Sequence, residues 1–208
     1  MARRSSSQAP SRAPLIAALF AVLIGLGGLL FALSQGPQPT GNLLARSSSN
    51  VGGPFSLVAA DGREVTDADF LGKPFLVYFG FTFCPDACPT QLQALAAALD
   101  QLGDKAKSVR VLFITVDPER DSPSVVGNYA KAFGPQIIGL TGSADQIAKA
   151  ARAYGVFFQK VPLADNPGEY TMDHTTAVYL MNAKGRLQTI FVPNQPPEDI
   201  AAAIEKIL

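Results

Sequence analysis

Two hydrophobic regimes divide the chain. From Leu15 to Leu33 it reads LIAALFAVLIGLGGLLFAL, apolar throughout and uncharged. That is about the length a helix rising 1.5 Å per residue needs to cross a hydrocarbon core of roughly 30 Å. Beyond Asn50 the apolar residues come instead in short runs set off by Gly, Pro, Asn and Asp. Phe55–Val58 and Glu64–Thr66 flank Asp61-Gly62 and predict a hairpin. Phe75–Phe79 and Val109–Val116 are apolar enough for central strands of a covered sheet. Leu92, Leu95, Ala96, Leu99 and Leu102 repeat at helical spacing. Ser122-Pro123 opens a further helix with a cap and a proline at its first position. Residues 137–140 form a short strand, and Ser143 caps a helix that stops at Gly155. A hairpin of 176–181 and 187–192 around Asn182–Gly185, then an amphipathic helix over 197–208, complete the pattern.

Strands alternating with helices, followed by a hairpin and a helix, indicate an α/β fold with a mixed sheet. The order β-α-β-α-β-β-α matches a thioredoxin-like layout, here behind an N-terminal transmembrane helix. Four regions are expected: a basic cytoplasmic tail over 1–14, a transmembrane anchor over 15–33, a flexible linker over 34–53 rich in Ser, Gly, Pro and Asn, and one domain over 54–208. Arg3, Arg4 and Arg12 precede the apolar run and the next basic residue after it is Arg46. This asymmetry holds the N-terminus in the cytoplasm and sends the rest across the inner membrane, so the domain faces the periplasmic, extracytoplasmic side of a single-pass protein. A cleavable signal peptide is the rival reading. Ala32 and Ser34 offer small residues for cleavage, but such a peptide's apolar region normally spans about 7–15 residues.

All 17 acidic residues lie after Asn50, against 13 of the 17 basic ones, which leaves that part of the chain near −4. A domain without a basic excess is not built for nucleic acid. Its length suffices to bury a core without disulfide help.

Cys84 and Cys88 are the only cysteines and His174 is the only histidine. The sequence therefore holds one soft-metal site of the Cys/Cys/His kind or one dithiol, on the same residues. Cys84 follows the strand 75–79, at the carboxyl end where open α/β sheets place their sites. The cysteines are four apart, not the three of a C-x-x-C redox pair. Pro89 places the helix start near Cys88, where unpaired amides favour a thiolate. Two thiolates and an imidazole suit copper or zinc, and three ligands are too few for a closed zinc site. A disulfide across so short a loop contributes only about 2 kcal/mol before strain, a weak staple. Asp173 is either a carboxylate supporting His174 or a solvated turn residue. Asp117–Asp121 is either a charged docking lip or a loop whose Asp121 or Ser122 caps the next helix. Phe79, Phe81 and Phe83 read as core or pocket wall, and Tyr170 as facing the site or packing.

Three segments in order, Tyr78-Phe79-Gly80-Phe81-Thr82-Phe83-Cys84-Pro85-Asp86-Ala87-Cys88-Pro89, then Val116–Asp121, then Tyr170–Thr175, resemble the SCO/SenC family of copper proteins. The resemblance covers Gly53 to Leu208. It implies a thioredoxin-like fold and a copper site, for Cu(I), Cu(II) or both, made by Cys84, Cys88 and His174. It further implies help in assembling the binuclear copper centre of cytochrome c oxidase, either by donating copper to its copper-accepting subunit or by reducing that target's cysteines. Ala87 stands where many members carry a larger aliphatic, and Phe83 where some carry a polar residue or histidine. Neither is a ligand position. A membrane-tethered, monomeric metallochaperone is one reading. A thiol–disulfide oxidoreductase using Cys84 and Cys88 is the alternative, and an enzymatic activity is left open. A peroxide-reducing thiol enzyme would need a base or Arg beside the cysteine, and none is adjacent in sequence.

Overall fold

In the computed structural model, residues 51–166 and 168–208 are described. The expected tail, the anchor at 15–33 and most of the linker lie outside them. Among the described residues no helix is long and apolar enough to cross a membrane.

Strands β1 (Ser56–Ala59), β2 (Glu64–Thr66), β3 (Phe75–Gly80), β4 (Arg110–Thr115), β5 (Ile137–Thr141), β8 (Val178–Met181) and β9 (Leu187–Phe191) form one mixed sheet in the order β2-β1-β5-β4-β3-β8-β9. β6 (Phe158–Pro162) and β7 (Tyr170–His174) pair only with each other. Helices α1 (Ala87–Leu102), α2 (Pro123–Lys131), α3 (Ala144–Tyr154) and α4 (Pro197–Glu205) cover the large sheet. β3, β4 and β5 run parallel, and β8 joins β3 antiparallel with Tyr78 opposite Val178. Every residue of β3 is buried, as a central strand covered on both faces requires. Tyr154 of α3 packs on Phe79 and Tyr179, while Tyr78 and Phe113 point to the opposite face, where Tyr129 of α2 meets Phe113.

Local signals act as expected where they are chemical. Gly62 holds the β1–β2 turn at φ +81°. Ser143 and Gln146 cap α3 reciprocally, and Gly155 ends it in the left-handed region. The ends shift slightly: α1 starts at Ala87, and α4 stops at Glu205 rather than at the last residue. The strands β6 and β7 are the elements that the apolar pattern does not reveal. β6 is mostly exposed and Pro162 sits in it, and β7 alternates Tyr170, Met172 and His174 with polar Thr171 and Asp173, an apolar face too short to stand out in the sequence.

Gly139 brings α2 against β5. A Cβ there would stand 2.2 Å from the Val126 carbonyl oxygen, which is backbone and cannot rotate aside. Gly139→Ala is expected to destabilise the fold by about 1–3 kcal/mol, read as a lower urea midpoint at constant m-value. An unchanged midpoint would mean that α2 is not held this closely.

Candidate metal centre

At Gly80 the chain leaves the sheet and turns through Phe81–Asp86. Phe81 is buried and Phe83 is 64% exposed, so the expectation that Phe83 walls a pocket does not hold. Its ring instead lies against the Arg120 guanidinium, 4.8 Å from the ring centroid. The Cys84 amide donates to the Phe81 carbonyl at 3.3 Å and closes the turn. Cys88 is the second residue of α1. Its amide, one of the unpaired donors of the helix start, donates to Cys84 Sγ at 3.3 Å. The positive end of the helix is therefore aimed at Cys84. Both thiols are free, Cys84 half-buried and Cys88 fully buried.

The Cys88 sulfur rests against the backbone of Gly80. A Cβ at Gly80 would lie 2.9 Å from Cys88 Sγ and 2.6 Å from Phe113 Cε2. Glycine at the end of an apolar strand was the available signal for this close approach. Burial pushes the Cys88 thiol up from 9.0 to about 12; the Phe81 amide pulls it down and Cys84 adds to the rise. The expectation that the helix start makes Cys88 a thiolate is thus reversed in the metal-free protein. Desolvation of the charged form outweighs the helix dipole.

His174 lies just before β8 and is the last residue of β7, opposite Phe158 of β6. Thr175 ties the hairpin down, its amide donating to the Phe157 carbonyl at 2.9 Å and its hydroxyl accepting from the Phe157 amide at 3.1 Å. The imidazole is packed edge-on by Phe81, with centroids 5.8 Å apart, and by Tyr78 at 6.5 Å. Its Nδ1 lies 2.9 Å from the Thr175 carbonyl, to which it donates, leaving the lone pair on Nε2. Burial lowers the pKa of His174, against the Thr175 carbonyl and Asp173, so the ring is neutral at pH 7. Asp173 itself is exposed, and the Thr175 carbonyl does the orienting that a carboxylate would have done.

Nε2 of His174 stands 3.7 Å from Cys88 Sγ. Two ligands of one ion, with bonds of about 2.3 Å to sulfur and about 2.0 Å to nitrogen and ~120° between them, sit about 3.7 Å apart. Among the described residues no three His, Cys, Asp or Glu side chains close into a finished cage. The structure places Cys88 and His174 together, with Cys84 next to them through the Cys88 amide.

The loop Asp117–Asp121 is not a lip of free charges; it leads into the helix cap, as the second reading expected, but its two aspartates are buried. Asp117 and Asp121 are 2% and 0% exposed. Tyr170 donates its hydroxyl to Asp117 at 2.9 Å, and Asp121 accepts from Thr82 and Thr115. Ser122, not Asp121, caps α2. The residues that sequence reasoning missed are Gly80, Thr82 and Thr175, and the buried role of the two aspartates.

A family model described as SCO1/SenC matches residues 44–208. The chain is 40% identical over 156 residues to human mitochondrial protein SCO1 homolog, covering 74% of this chain and 52% of that protein. It is 36% identical over 202 residues to protein SenC of Rhodobacter capsulatus, covering 93% and 89%. A solved structure of Bradyrhizobium japonicum ScoI with copper bound superposes with a TM-score of 0.70 at 44% identity, over 76% of this chain and 99% of that one. The chain spans about half the length of the human relative and of an Arabidopsis thaliana one.

The buried Cys88 thiol gives a pH dependence. The unfolded chain releases this proton near 9.0 and the folded, metal-free chain near 12. The native state holds the extra proton in between, so its stability is full below about 9 and falls as pH rises toward 12. Denaturant midpoints of the reduced, metal-free chain should fall across this window. The decline just above pH 9 should be smaller in Cys88→Ala, because tyrosines enter only from about 10. Equal slopes in both proteins would contradict the burial argument.

Proposed function

The chain belongs to the SCO1/SenC family, and on that premise we propose that it is a membrane-anchored copper chaperone. It holds one copper ion through Cys84, Cys88 and His174 and passes it to the copper-accepting subunit of cytochrome c oxidase as the binuclear centre is assembled. The observation that carries this reading is the 3.7 Å separation of Cys88 Sγ from His174 Nε2, with the lone pair of Nε2 free for a ligand bond. The donor set is chemically apt: thiolates select soft ions such as Cu(I), and imidazole suits copper in either oxidation state. Cys84, whose sulfur accepts the Cys88 amide, completes the set, and both thiols release protons as the ion arrives. Three ligands leave the ion accessible from the side of the half-buried Cys84, which is where a receiving protein reaches it. All three come from one chain, so a monomeric domain suffices. The apolar run 15–33 supplies the anchor and leaves the domain on the extracytoplasmic side.

One observation favours a second reading, a thiol–disulfide oxidoreductase that reduces the target's cysteines. The two free thiols are neighbours, one half-exposed and one buried. Cys84 would attack the target disulfide and Cys88 would resolve the mixed disulfide, leaving two thiols on the target and a Cys84–Cys88 disulfide here. A resolving thiol pushed up to about 12 is mostly protonated at neutral pH, and the thiolate is the attacking species. That weighs toward the chaperone.

Titration of the reduced chain with Cu(I) against a chromophoric competitor should show one tight site. Cys84→Ser, Cys88→Ser and His174→Ala should each weaken it beyond the roughly 10–100-fold typical of an outer-shell partner. Unchanged affinity in His174→Ala, with disulfide reduction persisting in copper-free protein, would favour the oxidoreductase. Gly80→Ala keeps all three ligands but pushes on the Cys88 sulfur. It should lower copper affinity about tenfold or more while both thiols still titrate; wild-type affinity would show that the glycine does not place the sulfur.

A further inference from the structure

Asp117–Asp121 supplies no candidate ligand, yet it touches both halves of the site. On the cysteine side, the Asp121 carboxylate accepts from the Thr82 amide at 3.0 Å, the Thr82 hydroxyl at 2.5 Å and the Thr115 hydroxyl at 2.6 Å. Its own carbonyl accepts from the Thr141 hydroxyl at 2.9 Å, which ties the loop to β5. Thr82 lies two residues before Cys84. On the histidine side, Asp117 accepts the Tyr170 hydroxyl at 2.9 Å, and Arg120 Nη1 donates to the Tyr170 carbonyl at 2.9 Å. The Arg120 guanidinium lies 3.8 Å from the Tyr170 ring centroid, with Phe83 at 4.8 Å and Phe81 at 5.9 Å, and Arg120 Nε pairs with Asp117. Lys160 of β6 donates to both oxygens of Glu119, at 2.8 and 2.7 Å. Tyr170 and His174 are four apart on β7 and so face the same side of the hairpin.

Packing of Met172, Phe158 and Tyr170 against the core seats the hairpin, and a polar tie adds to it. β6 and β7 pair only with each other and take no part in the large sheet, so sheet hydrogen bonds do not fix their position. We propose that the 117–121 loop is a bracket that sets the Cys88–His174 separation: Asp121 fixes the cysteine turn through Thr82, while Asp117 and Arg120 fix the histidine hairpin through Tyr170. These are positioning residues, acting through Thr82 and Tyr170 and not on the ion. The inference deepens the copper reading above and rests on it for its functional consequence.

Two measurements separate the bracket from that reading. In the metal-free, reduced chain, Arg120→Ala should speed amide hydrogen exchange across 158–174 about tenfold or more and leave β3 and β4 unchanged. Tyr170→Phe, which removes a single hydroxyl, should act in the same direction more weakly and serves if the alanine variant folds poorly. With Cu(I), Arg120→Ala should cost about 10–100-fold in affinity. In a His174→Ala background the same substitution should cost nothing further, because its effect passes through the imidazole. Unchanged exchange in the hairpin, or the same loss with and without His174, overturns the bracket. If the wild-type chain takes up no copper, the chaperone reading fails, and the exchange experiment still decides whether the loop holds the hairpin.

Discussion

A thiol sulfur and an imidazole nitrogen that are 86 positions apart in the chain lie 3.7 Å from each other, and holding that short gap is the constraint on which the rest depends. β3 delivers the cysteine turn, because its last residue is a glycine whose missing side chain lets the Cys88 sulfur settle against the strand. β4 runs beside β3 in parallel, with Thr115 opposite Gly80, so the loop after β4 emerges next to that turn. The Val116 amide donates to the Gly80 carbonyl at 2.7 Å and fastens the two together. The imidazole arrives from the other direction, on a hairpin outside the main sheet.

The polar chemistry around this gap is unevenly satisfied. Asp121 is fully buried, yet its carboxylate accepts three hydrogen bonds, so its burial is compensated. Among the described residues, the buried side-chain atoms without a protein partner include Tyr78 Oη, Gln91 Nε2 and Arg120 Nη2. Tyr78 lies beside Cys88 and His174, Gln91 one helical turn beyond Cys88, and Arg120 against Phe83. These unmet groups flank the candidate site, Tyr78 from the buried central strand β3 itself. Cys88 shows the same tension: its burial favours the neutral thiol, and only a ligand that binds sulfur more strongly than a proton does would draw out the charged form.

What was legible in the sequence, and what was not, divides along physical lines. The central strands, the capped helices and the β8–β9 hairpin were written in apolar runs and in Ser, Pro and Gly at their ends. Cys84, Cys88 and His174 stood out because each residue type is so scarce, and the three family-like segments pointed to them together. The β6–β7 hairpin was hidden because its apolar contact with the core is short, chiefly Met172 with Phe158 and Tyr170, and is supplemented by polar ties from Asp117 and Arg120 to Tyr170. The burial of Asp117 and Asp121 was hidden for a related reason: a carboxylate next to Pro and Arg reads as solvated until Thr82 and Tyr170, some 40 to 50 positions away in the chain, are seen to donate to it. Local pattern reveals what local chemistry determines, and contacts between distant loops need the fold.

X-ray absorption at the copper edge tests the central claim most directly, using the reduced chain carrying one equivalent of Cu(I). The account predicts a shell of two sulfurs and one imidazole nitrogen, with the nitrogen lost in His174→Ala and one sulfur lost in each cysteine variant. A copper shell without nitrogen in the wild-type protein, or one that His174→Ala leaves untouched, would contradict it.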